Sequence, residues 1–459
     1  KTLRPAYLVW DLKKLFPKLV VTEEEALLMT QRELTPGEGL EFVIRGVRDR
    51  YLGVDESWKE LYTWYRQNEG QKVDRILDAG FFKKKPDALT GEEAAELYGE
   101  KKQFSVTRME RFSACAYAHF LTYGLHLSDR ERYEFEAMDL GNIAHQSMER
   151  FARKAQEKRM PWPKLEEVQR DAMIEESVEE SIKDYGNTVL YSTARNEYMI
   201  VRIKQLIRRS VWALTRQMEK GDFEPSGYEM NFGSGKIDRV DTCEDEDVVY
   251  VKVTDYKTGM KSFDIVALYH GLQMQLPVYL NAALELEERR ASGKTVEPAG
   301  IFYYRIKDPI VDREKDDHAL EEKILKELRL DGMINAKEEV IEHLEHQLSG
   351  TSVLNPIGKN KDGSLNRYSK VLPPEAFAAM LSYTKKKEAQ VKRQIYAGEV
   401  QANPYELNGS TGCDYCAYRD ICGFDPRLDG YAYRSLEKYS KEEVIRRMEE
   451  EIENREEPS

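Results

Sequence analysis

The chain has 459 residues and a mass of 53.4 kDa, with 41% hydrophobic residues, 33% charged residues and a mean hydropathy of −0.67. At roughly 150 residues per domain, this length predicts two to four domains. Membrane spans need about 18 or more consecutive apolar residues, and neither such a run nor a secretory signal pattern is present, so we expect a soluble protein. The first residue is Lys rather than Met, which suggests a fragment of a longer or processed polypeptide.

The charge balance is 70 basic against 83 acidic residues, a formal net charge of −13. This excludes a protein that coats polyanions non-specifically, but not an enzyme acting on nucleic acid, because carboxylates are needed to bind divalent cations. Five cysteines are too few, and odd in number, for a disulfide framework. We therefore expect a reducing compartment, and we interpret any cysteine cluster as a metal site.

The first part of the chain is predicted to be mainly helical. Residues 1–100 mix short helical patterns with Gly and Pro breaks and contain no chemical motif. Ser105 is the predicted N-cap of a helix, and a second helix is predicted from Leu140 onward. Residues 166–220 are predicted to be helical throughout. They carry a basic stripe, interpreted as a solvated face with nucleic-acid backbone contact as the alternative: Arg202, Lys204, Arg208, Arg209 and Arg216.

From Tyr228 the hydrophobic period changes from helical to alternating. Residues 235–240 and 248–253 are predicted to be hairpin strands joined by an acidic loop at 241–247. The alternation of strands and helices in the rest of the chain predicts an α/β or α+β class. The further predicted elements are a helix at 268–290, a strand at 300–306 and helices at 320–328, 338–348 and up to Tyr396.

Two charged residues lie two positions apart at the end of the second predicted strand. Asp255 and Lys257 therefore share one face, and Asp238 on the partner strand can point to the same edge. Two carboxylates buried together need a cation, and oxygen ligands suit Mg²⁺ or Mn²⁺. A lysine beside such a cation can activate water and stabilise charge on a phosphate. The pattern thus predicts a metal-dependent hydrolytic site.

A histidine on the predicted second helix, His145, could add a nitrogen ligand and favour tolerance of Mn²⁺. Taken alone, a single helical histidine is more often structural, and Asp-x-Lys occurs by chance in many strands. The functional interpretation rests on the order of the motifs. His145 precedes Gly-x-Ile-Asp238, Asp255-Tyr-Lys-Thr-Gly follows, and then Gln275-x-x-x-Tyr279.

Three cysteines lie within ten residues, in Cys413-x2-Cys416-x5-Cys422, and Cys115 stands far upstream. Four thiolates suit zinc or an iron-sulfur cluster equally well by count, and the spacing alone favours zinc. Cys243, in the predicted acidic loop, is left as a free thiol. His343-x-x-His346 is interpreted as a solvated helix face, because no cysteine or carboxylate motif surrounds it in the sequence.

Six motifs together resemble a known family. They are Ser105-Val-Thr-Arg-Met-Glu-Arg-Phe-Ser-Ala-Cys, Gly141-Asn-Ile-Ala-His, Gly235-Lys-Ile-Asp-Arg-Val-Asp, Asp255-Tyr-Lys-Thr-Gly, Leu272-Gln-Met-Gln-Leu-Pro-Val-Tyr and Phe302-Tyr-Tyr-Arg-Ile-Lys-Asp-Pro. Their order over residues 105–425 resembles the RecB-type branch of the PD-(D/E)XK nucleases, and within it the C-terminal part of the B subunits of AddAB-type helicase-nucleases.

The resemblance implies an α/β, restriction-endonuclease-like core, in which helices flank a mixed central sheet, with extra helical segments and an iron-sulfur staple. It further implies three regions: residues 1–100 as the remnant of a helicase-like region, 101–430 as the nuclease domain, and 431–459 as a charged helical tail.

The resemblance also assigns roles to the motif residues. His145, Asp238, Asp255 and the main-chain carbonyl of Tyr256 would hold Mg²⁺, with Mn²⁺ possible, and Lys257 would be the catalytic lysine.

Three further positions carry roles that are implied by the same resemblance. Glu229 matches an acidic position of less defined role, whereas Gln275 and Tyr279 would touch DNA or position the metal site. Pro277 lies between these two and is tolerated only near a helix start, so the predicted helix could begin here rather than at Leu268.

For the cysteines, the resemblance reverses the preference for zinc. It implies a 4Fe-4S cluster held by Cys115, Cys413, Cys416 and Cys422, acting as a structural staple rather than a redox centre.

The function implied is a metal-dependent exonuclease that degrades single-stranded DNA in the 5′-to-3′ direction. It would act in the bacterial cytoplasm, on the chromosome, with an AddA-type subunit that carries the ATP motor, in repair of double-strand breaks by recombination. No membrane partner is expected. This chain is not expected to hydrolyse ATP, because Ser292-Gly-Lys-Thr imitates the end of a P-loop but Glu288 replaces its first glycine. The alternatives are a nuclease-silent DNA-binding scaffold of a helicase complex and a stand-alone iron-sulfur nuclease.

Overall fold

The structure is a computed structural model, and its described part covers most of the chain in eleven stretches. Ser292 of the P-loop-like run and residues 454–459 of the predicted tail lie outside it. The described residues are 7–20, 34–49, 56–81, 88–99, 104–128, 137–185, 190–191, 193–233, 235–291, 293–314 and 316–453.

The chain divides into two compact units, of which the first comprises residues 1–85 and 426–431. Its small core contains Val43, Tyr65 and Val73. None of the motif residues lies in this unit. Its helices are α1 (Tyr7–Leu15), α2 (Pro36–Asp49), α3 (Trp58–Asn68) and α4 (Gly70–Gly80).

The second unit, residues 86–425 and 432–459, is built around a six-stranded mixed sheet in which the strands lie side by side in chain order. The first three strands are antiparallel, β3 and β4 are parallel, β4 and β5 are antiparallel, and β5 and β6 are parallel. The strands are β1 (Glu224–Asn231), β2 (Lys236–Asp245), β3 (Val248–Lys257), β4 (Thr295–Arg305), β5 (Asp331–Asn335) and β6 (Val371–Leu372).

Helices cover both faces of this sheet, which explains why β3 is apolar on both sides. Tyr256 and Tyr304 face one core, which contains α8–α10, α13 and α14, whereas Val251 and Val253 face the other, which contains α5, α6, α11, α12, α15 and α17. These helices are α5 (Gly91–Tyr98), α6 (Val106–Ala114), α8 (Ala137–Glu157), α9 (Glu167–Asp184), α10 (Ala194–Met218), α11 (Ile265–Tyr269), α12 (Gln275–Glu288), α13 (Asp317–Glu327), α14 (Glu338–Leu344), α15 (Pro374–Tyr396) and α17 (Lys441–Glu453).

A small three-stranded sheet lies beside the C-terminal cysteines. The backbone N–H of Ala116 donates to the side-chain oxygen of Asn403 (3.0 Å), and that of Tyr117 donates to the carbonyl of Gln401 (3.0 Å). The segment after α6 is therefore fixed against the C-terminal segment. The elements here are α7 (Ala116–His119), β7 (Tyr405–Leu407), β8 (Ser410–Thr411), α16 (Arg419–Cys422) and β9 (Arg434–Ser435).

The predicted α/β class is confirmed, but several element boundaries were wrong. The segment 166–220 is not helical throughout, since α9 ends at Asp184 and α10 begins at Ala194. The acidic segment 241–247 is not a loop: β2 continues to Asp245, and Asp241 is buried because it pairs with Arg239 and Lys252. The helix predicted at 268–290 is interrupted, since Gly271 adopts a φ of +78° between α11 and α12.

Two further observations bear on the sequence interpretation. The basic stripe of α10 is matched by carboxylates, as Arg202 and Arg209 pair with Asp308 and Lys204 pairs with Glu175. The stripe therefore behaves as an ion-paired face. Among the described residues, no helix is both long enough and apolar enough to cross a bilayer.

Candidate active site

Two aspartates occupy opposed positions on neighbouring strands. Arg239 pairs with Thr254 and Val240 with Val253, and the same register sets Asp238 directly across from Asp255. Both aspartates are buried, with relative exposures of 9% and 2%. The predicted meeting of the two carboxylates at one edge of the hairpin is thus present in the structure.

Asp255 is held by two side chains. The ammonium of Lys257 pairs with its Oδ2, and the amide of Gln275 donates to its Oδ1 at 2.9 Å. Burial, reinforced by the nearby Asp238 carboxylate, raises the pKa of Asp255 to about 7. Burial and the neighbouring carboxylate thus disfavour the ionised form of Asp255.

Asp238 joins the sheet to α8. Its Oδ2 accepts the backbone N–H of Tyr256 at 2.7 Å and lies 3.2 Å from Nδ1 of His145. The imidazole also meets the Tyr256 ring edge-on, with 6.0 Å between the ring centroids. Burial disfavours the imidazolium, but the Asp238 and Asp255 carboxylates outweigh burial and raise the pKa of His145.

Glu229 completes a group of three metal-ligating side chains. In β1, Tyr228 pairs with Arg239 and Met230 with Ile237, so Glu229 faces Asp238. Its φ of +45° is rare for a residue with a side chain and is found mostly where function or packing imposes it. Donor atoms of His145, Glu229 and Asp238 all lie within 4.8 Å of one another. The three side chains could hold one cation together.

The first turn of α12 carries the Gln-x-x-x-Tyr motif. Gln275 is the first residue of the helix, as the position of Pro277 predicted, and its amide donates to Asp255 and also to the hydroxyl of Tyr279 (3.0 Å). Residues four apart lie on one helix face, so Tyr279 and Asp255 meet at the same amide. The motif therefore fixes the orientation of the Asp255 carboxylate.

Glu110, on α6, was missed as a site residue. Its Oε1 accepts the backbone N–H groups of Met274 (2.7 Å) and Gln275 (3.1 Å), and so caps the start of α12. Burial raises the pKa of Glu110, opposed mainly by the charge of Lys261 and by these two hydrogen bonds. The glutamate is part of the motif that starts at Ser105, but nothing local to that motif indicates its partner.

Lysine side chains and aromatic rings lie next to the two carboxylates. The ammonium groups of Lys257 and Lys261 lie 5.7 and 5.2 Å from the ring centroid of Tyr303. On the other side, the ring of Phe232 meets that of Tyr279 edge-on, with 5.5 Å between centroids. Phe232 also lines an open cleft of about 460 Å³ whose charged lining residues are Glu285, Arg289, Lys385, Glu388 and Lys392.

All four predicted cluster cysteines line one small apolar cavity. Cys115 follows α6 directly, and Cys413, Cys416 and Cys422 come from the segment between β8 and the end of α16. Among the described residues, the groups of three donors within 4.8 Å of one another do not include these sulfurs. The structure thus brings the four predicted cluster cysteines to one cavity.

Comparison with known proteins shows which proteins this chain is similar to. A family model described as the PD-(D/E)XK nuclease superfamily matches residues 103–423. The chain is 36% identical to the B subunit of an ATP-dependent helicase/deoxyribonuclease from Lachnoclostridium phytofermentans, over 97% of this chain and 40% of that protein. Proteins of the same name from Caldanaerobacter subterraneus subsp. tengcongensis and Alkaliphilus oremlandii are 32% and 31% identical, over 97% and 99% of this chain and 41% and 42% of theirs. The chain thus spans about two fifths of the length of these curated relatives.

Proposed function

Because this chain belongs to the PD-(D/E)XK nuclease superfamily, we propose that it is a metal-dependent deoxyribonuclease that hydrolyses single-stranded DNA from an end. The observation that carries the proposal is the convergence of two opposed buried aspartates, Asp238 and Asp255, with His145 and Lys257. Two carboxylates that share one buried volume repel each other, and a cation removes this repulsion.

The donor set indicates which cation would bind. Carboxylate oxygens of Asp238 and Asp255, with the main-chain carbonyl of Tyr256, suit Mg²⁺, and the imidazole of His145 makes Mn²⁺ acceptable. Glu229 supplies a further carboxylate within reach of His145 and Asp238. When bound, the cation would lower the pKa of an attacking water and offset negative charge on the scissile phosphate.

The remaining side chains act by position and charge. Lys257 stabilises the negative charge that grows on the phosphate and orients the water, because its ammonium is held beside Asp255. Gln275 keeps the Asp255 carboxylate in one orientation before substrate binds, which reduces the reorganisation needed in the transition state. We propose that Tyr279, whose hydroxyl accepts from the same amide, contacts the DNA strand or helps to position the metal site.

We further propose that Cys115, Cys413, Cys416 and Cys422 hold a 4Fe-4S cluster with a structural role. Cys115 and Cys413 are 298 positions apart in the chain. Joining them closes a loop whose entropy cost in the unfolded chain is about 5 kcal/mol. The four thiols lining one cavity support this assignment.

The names of the relatives support a role within a larger assembly. We propose that the chain works with a subunit that supplies the ATP-driven motor. The chain itself would degrade the strand that runs in the 5′-to-3′ direction during double-strand break repair. ATP hydrolysis is assigned to the partner, since Glu288 occupies the position of the first P-loop glycine here.

The test is cleavage of end-labelled single-stranded DNA by protein purified without oxygen, in Mg²⁺ or EDTA. We expect Mg²⁺-dependent cleavage that falls at least about 100-fold in Lys257→Ala. Lys294→Ala is the matched control. Lys294 lies just before the start of β4, whereas Lys257 lies beside its C-terminal end, and Lys294 pairs with the exposed Glu244. Substrates labelled at the 5′ or the 3′ end report polarity. A folded, iron-containing protein that binds DNA but does not cut it, alone or with a motor subunit, would overturn the proposal in favour of a DNA-binding scaffold.

A further inference from the structure

A second group of metal-ligating side chains lies at the other end of β2. Oδ2 of Asp222 is 2.8 Å from Nδ1 of His343 and 2.7 Å from Nε2 of His346. Cys243 is buried beneath them, and donor atoms of Asp222, Cys243 and His343 all lie within 4.8 Å of one another. The sequence shows no carboxylate or cysteine motif around the two histidines, but the fold brings Asp222 and Cys243 to them from distant parts of the chain.

The backbone fixes this arrangement. The N–H of Asp222 donates to the carbonyl of His343 (2.8 Å), and the N–H of His346 donates to the carbonyl of Lys220 (2.7 Å). A Cβ at Gly221 would lie only 2.4 Å from the His343 carbonyl oxygen, so glycine permits the close approach of the two segments. The end of α14 is thereby locked to the segment that leads into β1.

Cys243 gives this group a metal-binding character that hydrogen bonding alone does not explain. The two imidazoles can satisfy the Asp222 carboxylate by hydrogen bonding without a thiol nearby. The Cys243 thiol is instead buried with its sulfur within 4.8 Å of donor atoms of both Asp222 and His343. A divalent cation at this point would be coordinated by the thiol in its deprotonated form.

One neighbour supplies the outer contact expected of a metal-bound histidine. The second ring nitrogen of His343, Nε2, lies 3.5 Å from a carboxylate oxygen of Asp245. Metal-ligating histidines commonly donate their other N–H to a carboxylate, which fixes the tautomer and the ring orientation. His343 can thus turn Nδ1 to a cation and Nε2–H to Asp245.

We propose that Asp222, Cys243, His343 and His346 form a site for a zinc-class cation. Thiolate, imidazole and carboxylate are the ligand types of Zn²⁺, and four protein ligands fill a tetrahedral shell, as in structural sites. Cys243 and Asp238 are five residues apart on β2, about 17 Å at ~3.4 Å per residue, so one ion cannot serve both ends of the strand. The cation would tie α14, β2 and the entry to β1 together.

The experiment measures zinc in full-length, iron-loaded protein carrying Asp238→Ala, which weakens metal binding at the candidate active site. We expect about one equivalent of zinc to remain after gel filtration, and added Co²⁺ to give a thiolate-to-cobalt charge-transfer band in the difference spectrum. Cys243→Ser should abolish the band and the zinc while leaving the iron content unchanged.

Control variants keep the test decisive if Cys243→Ser folds poorly. His346→Ala changes a half-exposed side chain and should weaken zinc affinity at least tenfold in competition with a chromophoric chelator, whereas the exposed His318→Ala should not. Equal zinc content and affinity in parent, Cys243→Ser and His346→Ala would overturn the proposal. The four side chains would then only connect α14 to the segment before β1 by hydrogen bonds. Because nuclease activity is not measured, this outcome is independent of the proposed function.

Discussion

The Glu110 carboxylate accepts a hydrogen bond from the backbone N–H of Gln275, at the first residue of α12. The same oxygen accepts the N–H of Met274, so one acidic side chain of α6 satisfies two N–H groups at the helix start. Negative charge is also favourable at a helix N-terminus. Since Gln275 in turn holds Asp255, Glu110 positions a carboxylate of the candidate active site that it does not touch.

Replacing Glu110 by alanine should therefore slow cleavage without removing a ligand. We expect a loss of about tenfold in single-turnover rate at saturating Mg²⁺, because a small misplacement of Gln275 loosens Asp255. Glu110→Gln keeps an oxygen acceptor for the two N–H groups and should lose less. Equal rates in the parent and both variants would show that the cap has no influence on the chemistry.

The pH dependence of stability in EDTA should reveal the raised pKa of Asp255. A carboxyl whose folded-state pKa is raised to about 7 contributes stability below its unfolded pKa and loses that contribution as pH rises through 7. Mg²⁺ binds the ionised form and should restore stability most at high pH. Thermal melts at pH 6 and pH 8, with EDTA or Mg²⁺, should show the larger Mg²⁺-dependent rise in Tm at pH 8. Asp255→Asn should remove this difference, and an equal rise at both pH values in the parent would contradict the prediction.

A buried ionic group on the opposite face of β2 should matter for folding rather than for catalysis. Asp241 lies 2.6 Å from Arg239 Nε and 3.5 Å from Lys252 Nζ, and all three side chains are buried. Asp241→Asn leaves two buried cations without their counter-charge and should cost about 3–5 kcal/mol in the free energy of unfolding. Glu244 lies on the same strand as Asp241 and makes an exposed pair with Lys294. Glu244→Gln breaks this pair and should cost less than about 1 kcal/mol. Denaturant titration compares the two, and similar losses would refute the assignment.

Loss of one cluster cysteine should loosen the nuclease fold without altering the aspartates. Cys416→Ala is expected to lose iron, lower the Tm and weaken DNA binding, because the link between Cys115 and the C-terminal segment is broken. Cys243→Ser changes a cysteine outside the cluster, so it is the control for iron content alone and should retain its iron. A Cys416→Ala protein with full iron content and unchanged Tm would rule out the staple.

The convergence of the candidate active-site residues was predictable because its signals are local. Asp255 and Lys257 alternate on one strand, Asp238 lies on the adjoining hairpin strand, and Pro277 indicates a helix start at Gln275. These relationships depend on period-two geometry and on the backbone restrictions of proline, which act over a few residues. The structure brings the residues together as those rules imply.

The remaining features depend on contacts between distant segments. Glu110 is 165 positions from Gln275, and Asp222 is 121 positions from His343. Sequence periodicity relates residues only a few positions apart, so it could not predict either contact. Asp241 was assigned to a loop because a charged residue usually indicates solvent. Its buried partner Lys252 lies on the next strand, where only the folded register places it.

The irregular backbone of β1 affects how readily the sheet can pair with strands of other molecules and aggregate. β1 is an edge strand, its register shifts between Pro225 and Gly227, and Glu229 interrupts it with a positive φ. A straight, unprotected edge offers its free N–H and C=O groups to strands of other molecules, whereas proline, a bulge and an inward carboxylate deter such pairing. The opposite edge, β6, has only two residues. The distortion that turns Glu229 towards Asp238 thus also guards the sheet against edge-to-edge aggregation.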